Sequence, residues 1–101
     1  MRSVIQVLYY AERDIQLAQK WYEKKSPELG KKFKLQIVNA IDSLLDPKIE
    51  YGSVYKGLSR IFVKRFPYVI YYRRDDTQNR IIVYAILHEK QSRDSVLKGR
   101  V

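Results

Sequence analysis

Residues 60–88, RIFVKRFPYVIYYRRDDTQNRIIVYAILH, decide the fold of this chain. They contain runs rich in β-branched and aromatic residues, which is typical of consecutive strands. We predict strands over 58–66, 68–73 and 80–88, interrupted by a proline and by a turn at 75–79 with Asp, Thr and Asn. Because their connections are short, these strands should pair antiparallel.

Two amphipathic helices are predicted before the strands. A first helix begins near Ala11, where apolar residues start to recur at helical spacing, and we expect Leu17 and Trp21 to widen its buried stripe. A second helix begins after Ser26, which suits an N-cap, and stops before Pro47. The two helices form a hairpin that must cover one face of the sheet.

A short apolar run at 3–10 predicts a further strand, which lies at the edge of the sheet or beside the last strand. It lacks clean alternation, which fits burial on both faces. The fold class is therefore α+β, with a helical hairpin packed on a twisted antiparallel sheet in the order β-α-α-β-β-β. The 101 residues form one domain, 1–101, in which 89–101 is a charged C-terminal tail.

The charge points to an anionic partner. The net charge is +9, from 20 Lys and Arg against 11 Asp and Glu, and most of the excess lies in the second half. Such asymmetry favours a nucleic acid or an acidic protein segment as the partner.

Several classes of function are disfavoured by composition. The chain has no cysteine and one histidine, so we expect neither disulfides nor a metal site, and no motif indicates a cofactor. Without an apolar run of about 20 residues, we expect no membrane span and a cytoplasmic protein.

Two strand positions could carry chemistry. In the strand from residue 58, alternation places Arg60, Phe62 and Lys64 on one face, either as a phosphate-binding groove with a stacking ring or as a solvated sheet face. His88, which ends the last strand on the same face as Tyr84, is either a general acid or base or a hydrogen-bonded strand terminus.

The chain resembles toxins of the RelE/ParE superfamily of bacterial type II toxin–antitoxin modules, also described as plasmid stabilisation proteins. The resemblance runs over almost the whole length. Its strongest marks are RFPYVIYY at 65–72 followed by VYAILH at 83–88, with DI at 14–15, WY at 21–22 and LG at 29–30 before them.

The resemblance implies a cognate small antitoxin, encoded nearby, whose C-terminal segment wraps the toxin. Operator DNA would be bound only through the antitoxin. An acidic antitoxin segment would meet the basic side chains, and an exposed strand edge could accept an added strand. The residues expected to bind the anion or the antitoxin are Arg60, Lys64, Arg65, Arg73 and Arg93.

The superfamily divides in mechanism. ParE-like members inhibit DNA gyrase, whereas RelE-like members are metal-independent endoribonucleases that cleave mRNA on the ribosome. If this chain is a ribonuclease, Arg60 and His88 are its expected catalytic residues. Possible supporting residues are then Lys56, Lys64, Arg93 and Glu50. Because Glu89 stands where some ribonucleases carry a tyrosine, we favour a ParE-like growth inhibitor, with a ribonuclease or an inactive antitoxin-binding relative as alternatives.

Overall fold

The computed structural model describes residues 4–46 and 52–101, and its elements follow the predicted order with one short helix added. The elements are β1 (Val4–Val7), α1 (Tyr9–Lys25), α2 (Pro27–Ser43), β2 (Ser59–Phe62), β3 (Tyr68–Asp75), β4 (Arg80–His88) and α3 (Arg93–Leu97). The fold class is confirmed: two helices are followed by antiparallel strands of one mixed sheet. None of the helices in these two ranges is long and apolar enough to cross a bilayer.

The sheet has the strand order β1-β4-β3-β2. β4 and β3 pair antiparallel, as do β3 and β2, while β1 runs parallel to β4 with Val4 opposite Arg80. The first strand therefore lies both at the edge and beside the last strand, as predicted. Its predicted burial on both faces is wrong: burial alternates along β1, with Val4 67% exposed while Ile5 and Val7 pack against the core.

One face of the sheet, here the first face, is covered by α1 and α2. Its buried cluster combines Ile15 and Phe33 from the helices with Ile61, Ile70 and Val83 from the strands. The rings of Phe33 and Tyr22 stack with centroids 5.1 Å apart. Burial of these side chains away from water is the main force that holds the hairpin on the sheet.

The helices touch each other closely at Gly30. A Cβ atom at this position would lie 2.2 Å from Cγ of Glu23, far inside van der Waals contact. Glycine at this position therefore permits the close approach of α1 and α2.

The α1 stripe is narrower than predicted. Ala11, Ile15 and Ala18 are buried, but Leu17 is 59% and Trp21 is 54% exposed. The prediction that Leu17 and Trp21 join the core is wrong because small alanines already bring the helix onto the sheet. The two larger residues lie on the flank of α1.

The opposite face of the sheet, here the second face, has its own apolar cluster, formed by Leu58, Val69, Tyr71, Ala85, Leu87 and Leu97. Leu97 belongs to α3 and is fully buried. The charged tail thus folds onto the sheet. The face that carries Arg60 is therefore not an open sheet surface, because α3 and the segment around Leu58 cover its centre.

A β-bulge interrupts the pairing of β3 with β4. Tyr71 lies opposite Ala85 whereas Tyr72 lies opposite Val83, which leaves Tyr84 as an extra residue. Val83 and Ile86 both pack in the first-face cluster, while Tyr84 packs against the second. Simple alternation therefore fails here, and the prediction that His88 shares a face with Tyr84 is wrong.

Candidate functional site

Arg60 and His88 lie on opposite faces of the sheet. Arg60 pairs with Tyr71, which belongs to the second-face cluster, whereas His88 pairs with Tyr68, which packs against the first. Side chains directly opposite each other in antiparallel strands point to the same side. The two residues expected to form one catalytic pair are therefore separated by the sheet itself.

His88 closes the end of β4 through several contacts. Its backbone N–H donates to Oε1 of Gln91 at 2.8 Å, and its Nδ1 accepts from the backbone N–H of Lys90 at 3.0 Å. The ring meets Tyr68 edge to face with centroids 5.2 Å apart. Because Nδ1 is an acceptor, the neutral imidazole carries its proton on Nε2. These contacts are those of a hydrogen-bonded strand terminus.

An apolar groove of about 570 Å³ opens beside His88, between the flank of α1 and the end of β4. Leu17, Trp21 and Pro67 are among its lining residues, and we name it the α1 groove. The amino group of Lys25 lies 4.6 Å from the centroid of the Trp21 ring, which adds positive charge at its rim. Exposed large apolar side chains around a concave surface are typical of a protein-binding site.

Two tyrosines in the floor of the α1 groove stay protonated at neutral pH. Burial raises the pKa of Tyr22, and burial together with the charge of Tyr22 raises the pKa of Tyr68. These two side chains therefore add no charge to the groove, and their hydroxyl groups can donate hydrogen bonds.

Asp14 and Arg100 form a clamp that the sequence did not reveal. Arg100 donates to both carboxylate oxygens of Asp14, at 2.6 and 3.0 Å, and Oδ2 of Asp14 also accepts the backbone N–H of Ile86 at 3.0 Å. The guanidinium of Arg100 further lies 5.4 Å from the ring centroid of Tyr10. The clamp joins α1, the bulged part of β4 and the C-terminal segment.

The pairing partner of Asp14 had no sequence signal. The two residues are 86 positions apart, and an arginine in a charged tail looks like any other. The signal that was present is Asp14 itself. It lies at helical spacing from the buried Ala11 and Ala18, so it faces the sheet and needs a partner there.

Three other predicted cations belong to the second face and already have partners. The guanidinium of Arg60 lies 5.3 Å from the ring centroid of Phe62, and that of Arg73 lies 5.2 Å from the ring centroid of Tyr84. Arg93, at the start of α3, pairs with Asp94 at 3.2 Å. Arg60 and Phe62 share a face as predicted; the guanidinium lies over the ring, and the ring remains largely exposed.

Lys56, Lys64 and Arg65 are exposed and lie in turns outside the strands. Lys56 has its amino group 5.5 Å from the ring centroid of Tyr55. Lys64 and Arg65 belong to the turn at 63–67, because β2 ends at Phe62, earlier than the predicted residue 66. Glu50, the weak candidate base, lies outside the described residues.

The fold is similar to those of several solved toxin–antitoxin structures. A chain of the chromosomal ParDE system from P. aeruginosa superposes with a TM-score of 0.75 at 18% identity, over 86% of this chain and 96% of that chain. A chain of the RelBE2 toxin–antitoxin complex from Mycobacterium tuberculosis gives a TM-score of 0.55 at 16% identity, over 87% of this chain and 99% of that chain. A mutant of the E. coli toxin RelE in the free state gives a TM-score of 0.53 at 15% identity, over 95% of this chain and 93% of that chain.

In sequence, no curated protein matches the chain significantly. A family profile described as the ParE toxin of the type II toxin–antitoxin system parDE matches residues 5–93. That range takes in both helices and all of β2, β3 and β4. This chain belongs to the ParE toxin family. The predicted resemblance to the RelE/ParE superfamily is thereby confirmed.

Proposed function

We propose that this protein is the toxin of a type II toxin–antitoxin module, and that it stops growth by binding DNA gyrase. Its membership of the ParE toxin family over residues 5–93 supports the assignment as a toxin. We further propose that it acts in the cytoplasm, where both gyrase and the cognate antitoxin would meet it.

The choice of a protein target over mRNA depends on the positions of Arg60 and His88. Cleavage of RNA by its own 2′-hydroxyl needs a base, an acid and a cation around a single phosphate, each within hydrogen-bond reach. Arg60 packs on the second face with Tyr71, while His88 packs on the first with Tyr68. A phosphate beside one of them cannot reach the other through the sheet.

The contacts of His88 support the same choice. A catalytic imidazole needs a nitrogen directed at the substrate, and Nδ1 of His88 already accepts the Lys90 N–H. Only Nε2 is left, and His88 lines a groove whose exposed residues include Leu17, Trp21 and Pro67. Such surroundings suit an apolar side chain of a protein partner better than a phosphate.

A cognate antitoxin is proposed as the second partner. An excess of nine positive charges on 101 residues favours association with an acidic protein and speeds the encounter. The α1 groove offers a concave apolar surface on which such a protein could anchor. Operator DNA would be reached through the antitoxin.

The test is induced expression without antitoxin in a bacterial host, followed by pulse labelling of DNA and of protein. We expect DNA synthesis to fall first, an SOS response to follow, and purified toxin to inhibit supercoiling by gyrase in vitro. Early loss of protein synthesis, with mRNA cut in the ribosomal A site, would instead establish a ribonuclease. No growth defect at all would leave an antitoxin-binding relative.

Single substitutions sharpen the result. Arg60→Ala and His88→Gln should leave growth inhibition within about twofold of the unaltered toxin, because neither residue takes part in a reaction; His88→Gln also keeps an acceptor near the Lys90 N–H. For a ribonuclease, loss of one general acid, base or charge-stabilising group would cost about 100-fold or more. Melting curves of both variants should be compared, so that unfolding is not mistaken for loss of activity.

A further inference from the structure

Two hollows lie side by side along the outer flank of α2. One of about 440 Å³ is lined by the first half of α2 and by Phe66, and one of about 360 Å³ by its second half and by Phe62. Gln36 and Arg65 line both hollows, so they form one continuous surface. We name this surface the α2 groove.

The α2 groove combines positive charge with apolar side chains. Its cations are Lys32, Lys64 and Arg65, and no residue that lines either hollow is acidic. Leu35 is 56% and Phe62 is 58% exposed beside them. A matching partner therefore carries carboxylates next to apolar anchors.

Among the described residues, the cations of the α2 groove are not paired with a carboxylate, whereas three arginines elsewhere are. Arg80, Arg93 and Arg100 form ion pairs with carboxylates. Within residues 4–46 and 52–101, no carboxylate pairs with Lys32, Lys64 or Arg65. These three charges are therefore available to a partner.

Arg65 occupies a backbone position that suits glycine. Its φ of 69° is in the left-handed region, which costs a side-chain-bearing residue about 1 kcal/mol relative to glycine. The turn is fixed on either side by hydrogen bonds from Val63 N–H to the Tyr68 carbonyl and from Tyr68 N–H to the Phe66 carbonyl. An exposed arginine thus stands at a fixed backbone position that costs stability, as happens at functional surfaces.

We propose that the α2 groove binds an acidic segment of the cognate antitoxin, whose carboxylates meet Lys32, Lys64 and Arg65 and whose apolar side chains pack on Leu35. This assignment rests on the proposed function, which supplies the antitoxin. A second copy of this chain is disfavoured because it would bring another nine positive charges. A nucleic acid is disfavoured because its polar sugar–phosphate backbone offers little apolar surface to cover Leu35.

The decisive variant is Arg65→Gly, measured on the full-length toxin with the full-length antitoxin encoded beside its gene. Glycine fits the backbone at residue 65, so the fold is retained while the charge is lost. The matched control is Lys56→Gly, which also removes one exposed cation at a left-handed position, with a φ of 44°, but away from the groove. Leu35→Ser tests the apolar anchor separately.

The expected result is that Arg65→Gly weakens binding of the antitoxin about 5- to 10-fold at low salt and less at high salt, because screening removes the same interaction. Leu35→Ser weakens it by a similar factor at both salt concentrations. Lys56→Gly stays within about twofold of the unaltered toxin. Titration calorimetry at about 50 and 500 mM NaCl gives these affinities.

Other outcomes overturn the proposal. Equal affinities of the Arg65→Gly and Lys56→Gly variants would exclude the groove as an antitoxin site. Loss of growth inhibition with unchanged antitoxin affinity would assign it to the target, and a dimer that dissociates on substitution would assign it to a second copy. Binding of a 12-nucleotide single strand that needs Arg65, with antitoxin affinity unchanged, would assign it to nucleic acid.

The outcome is independent of the gyrase assignment. If the chain fails to inhibit gyrase but Arg65→Gly still weakens antitoxin binding, the proposed target is wrong and the groove assignment stands. If gyrase is inhibited and the antitoxin ignores Arg65, the target stands and the groove assignment fails.

Discussion

Replacement of Arg100 by alanine should release the C-terminal segment from the rest of the molecule. Arg100 makes two hydrogen bonds to Asp14, one of 3.4 Å to the Tyr84 carbonyl, and a stacking contact with Tyr10. Without it, the Asp14 carboxylate keeps only the Ile86 N–H as a partner while remaining mostly out of water.

The size of the loss follows from the burial of the pair. Exposed ion pairs contribute about 0–1 kcal/mol, whereas removal of one partner from a buried pair costs about 3–5 kcal/mol. The Arg100 and Asp14 side chains are 16% and 13% exposed, which lies between these cases but nearer the buried one. We expect a loss of about 2–3 kcal/mol and a fall in Tm of roughly 10–20 °C for a domain of this size.

The measurement is a double-mutant cycle in urea or by calorimetry, with Asp14→Ala, Arg100→Ala and the double variant. The double variant should lose at least about 1.5 kcal/mol less stability than the sum of the losses of the two single variants. Arg93→Ala is the control, because its partner Asp94 is 71% exposed and its loss should cost less than about 1 kcal/mol. A coupling energy below about 0.5 kcal/mol would mean that the clamp does not hold the segment.

Three further predictions concern the stability of the domain. Gly30→Ala should lower the free energy of unfolding by about 1 kcal/mol despite the better helix propensity of alanine, because the new Cβ meets Cγ of Glu23. Glu23→Ala in the same chain should therefore recover most of the lost stability. Equal losses with and without the Glu23 side chain would contradict this prediction. Leu97→Ala should cost about 2–4 kcal/mol in urea unfolding, since the side chain is fully buried, and a loss under 1 kcal/mol would show that α3 adds little to the second face. The free energy of unfolding, measured by denaturant titration, should decrease as the pH rises past about 10. Burial raises the pKa of Tyr22 and Tyr68 in the folded protein, so the unfolded chain releases these protons at a lower pH. A free energy of unfolding that stays constant up to about pH 11 would refute this prediction.

Local patterns predicted the elements of this fold well. The spacing of Ala11, Ile15, Ala18 and Tyr22 identified the buried stripe of α1, and all four are buried. The last strand was predicted at 80–88 and is observed as Arg80–His88. These features depend on residues near each other in sequence, where periodicity and turn chemistry carry the information.

Features that depend on distant residues were missed. The bulge at Tyr84 changes which face each residue occupies, and it arises from how β3 and β4 pair, so strict alternation placed Tyr84 on the wrong side. The partner of Asp14 could not be found for the same reason. Arg60 and His88 were expected as one catalytic pair but lie on opposite faces, because the face of each residue is set by pairing across three strands.

The parallel pairing of β1 with β4, together with the Asp14–Arg100 clamp, bears on how the chain folds. The β3–β4 hairpin and the helical pair can form early, since each joins neighbouring segments. Closure of the sheet must wait until residues 74 and 86 positions apart find each other, as in the contacts of Gln6 with Arg80 and of Asp14 with Arg100. A high share of such remote pairings slows folding toward milliseconds or longer. Until the sheet is complete, the apolar residues of α1 and α2 that pack on it are exposed to water. A newly made chain would be most vulnerable to proteases and to aggregation at this stage.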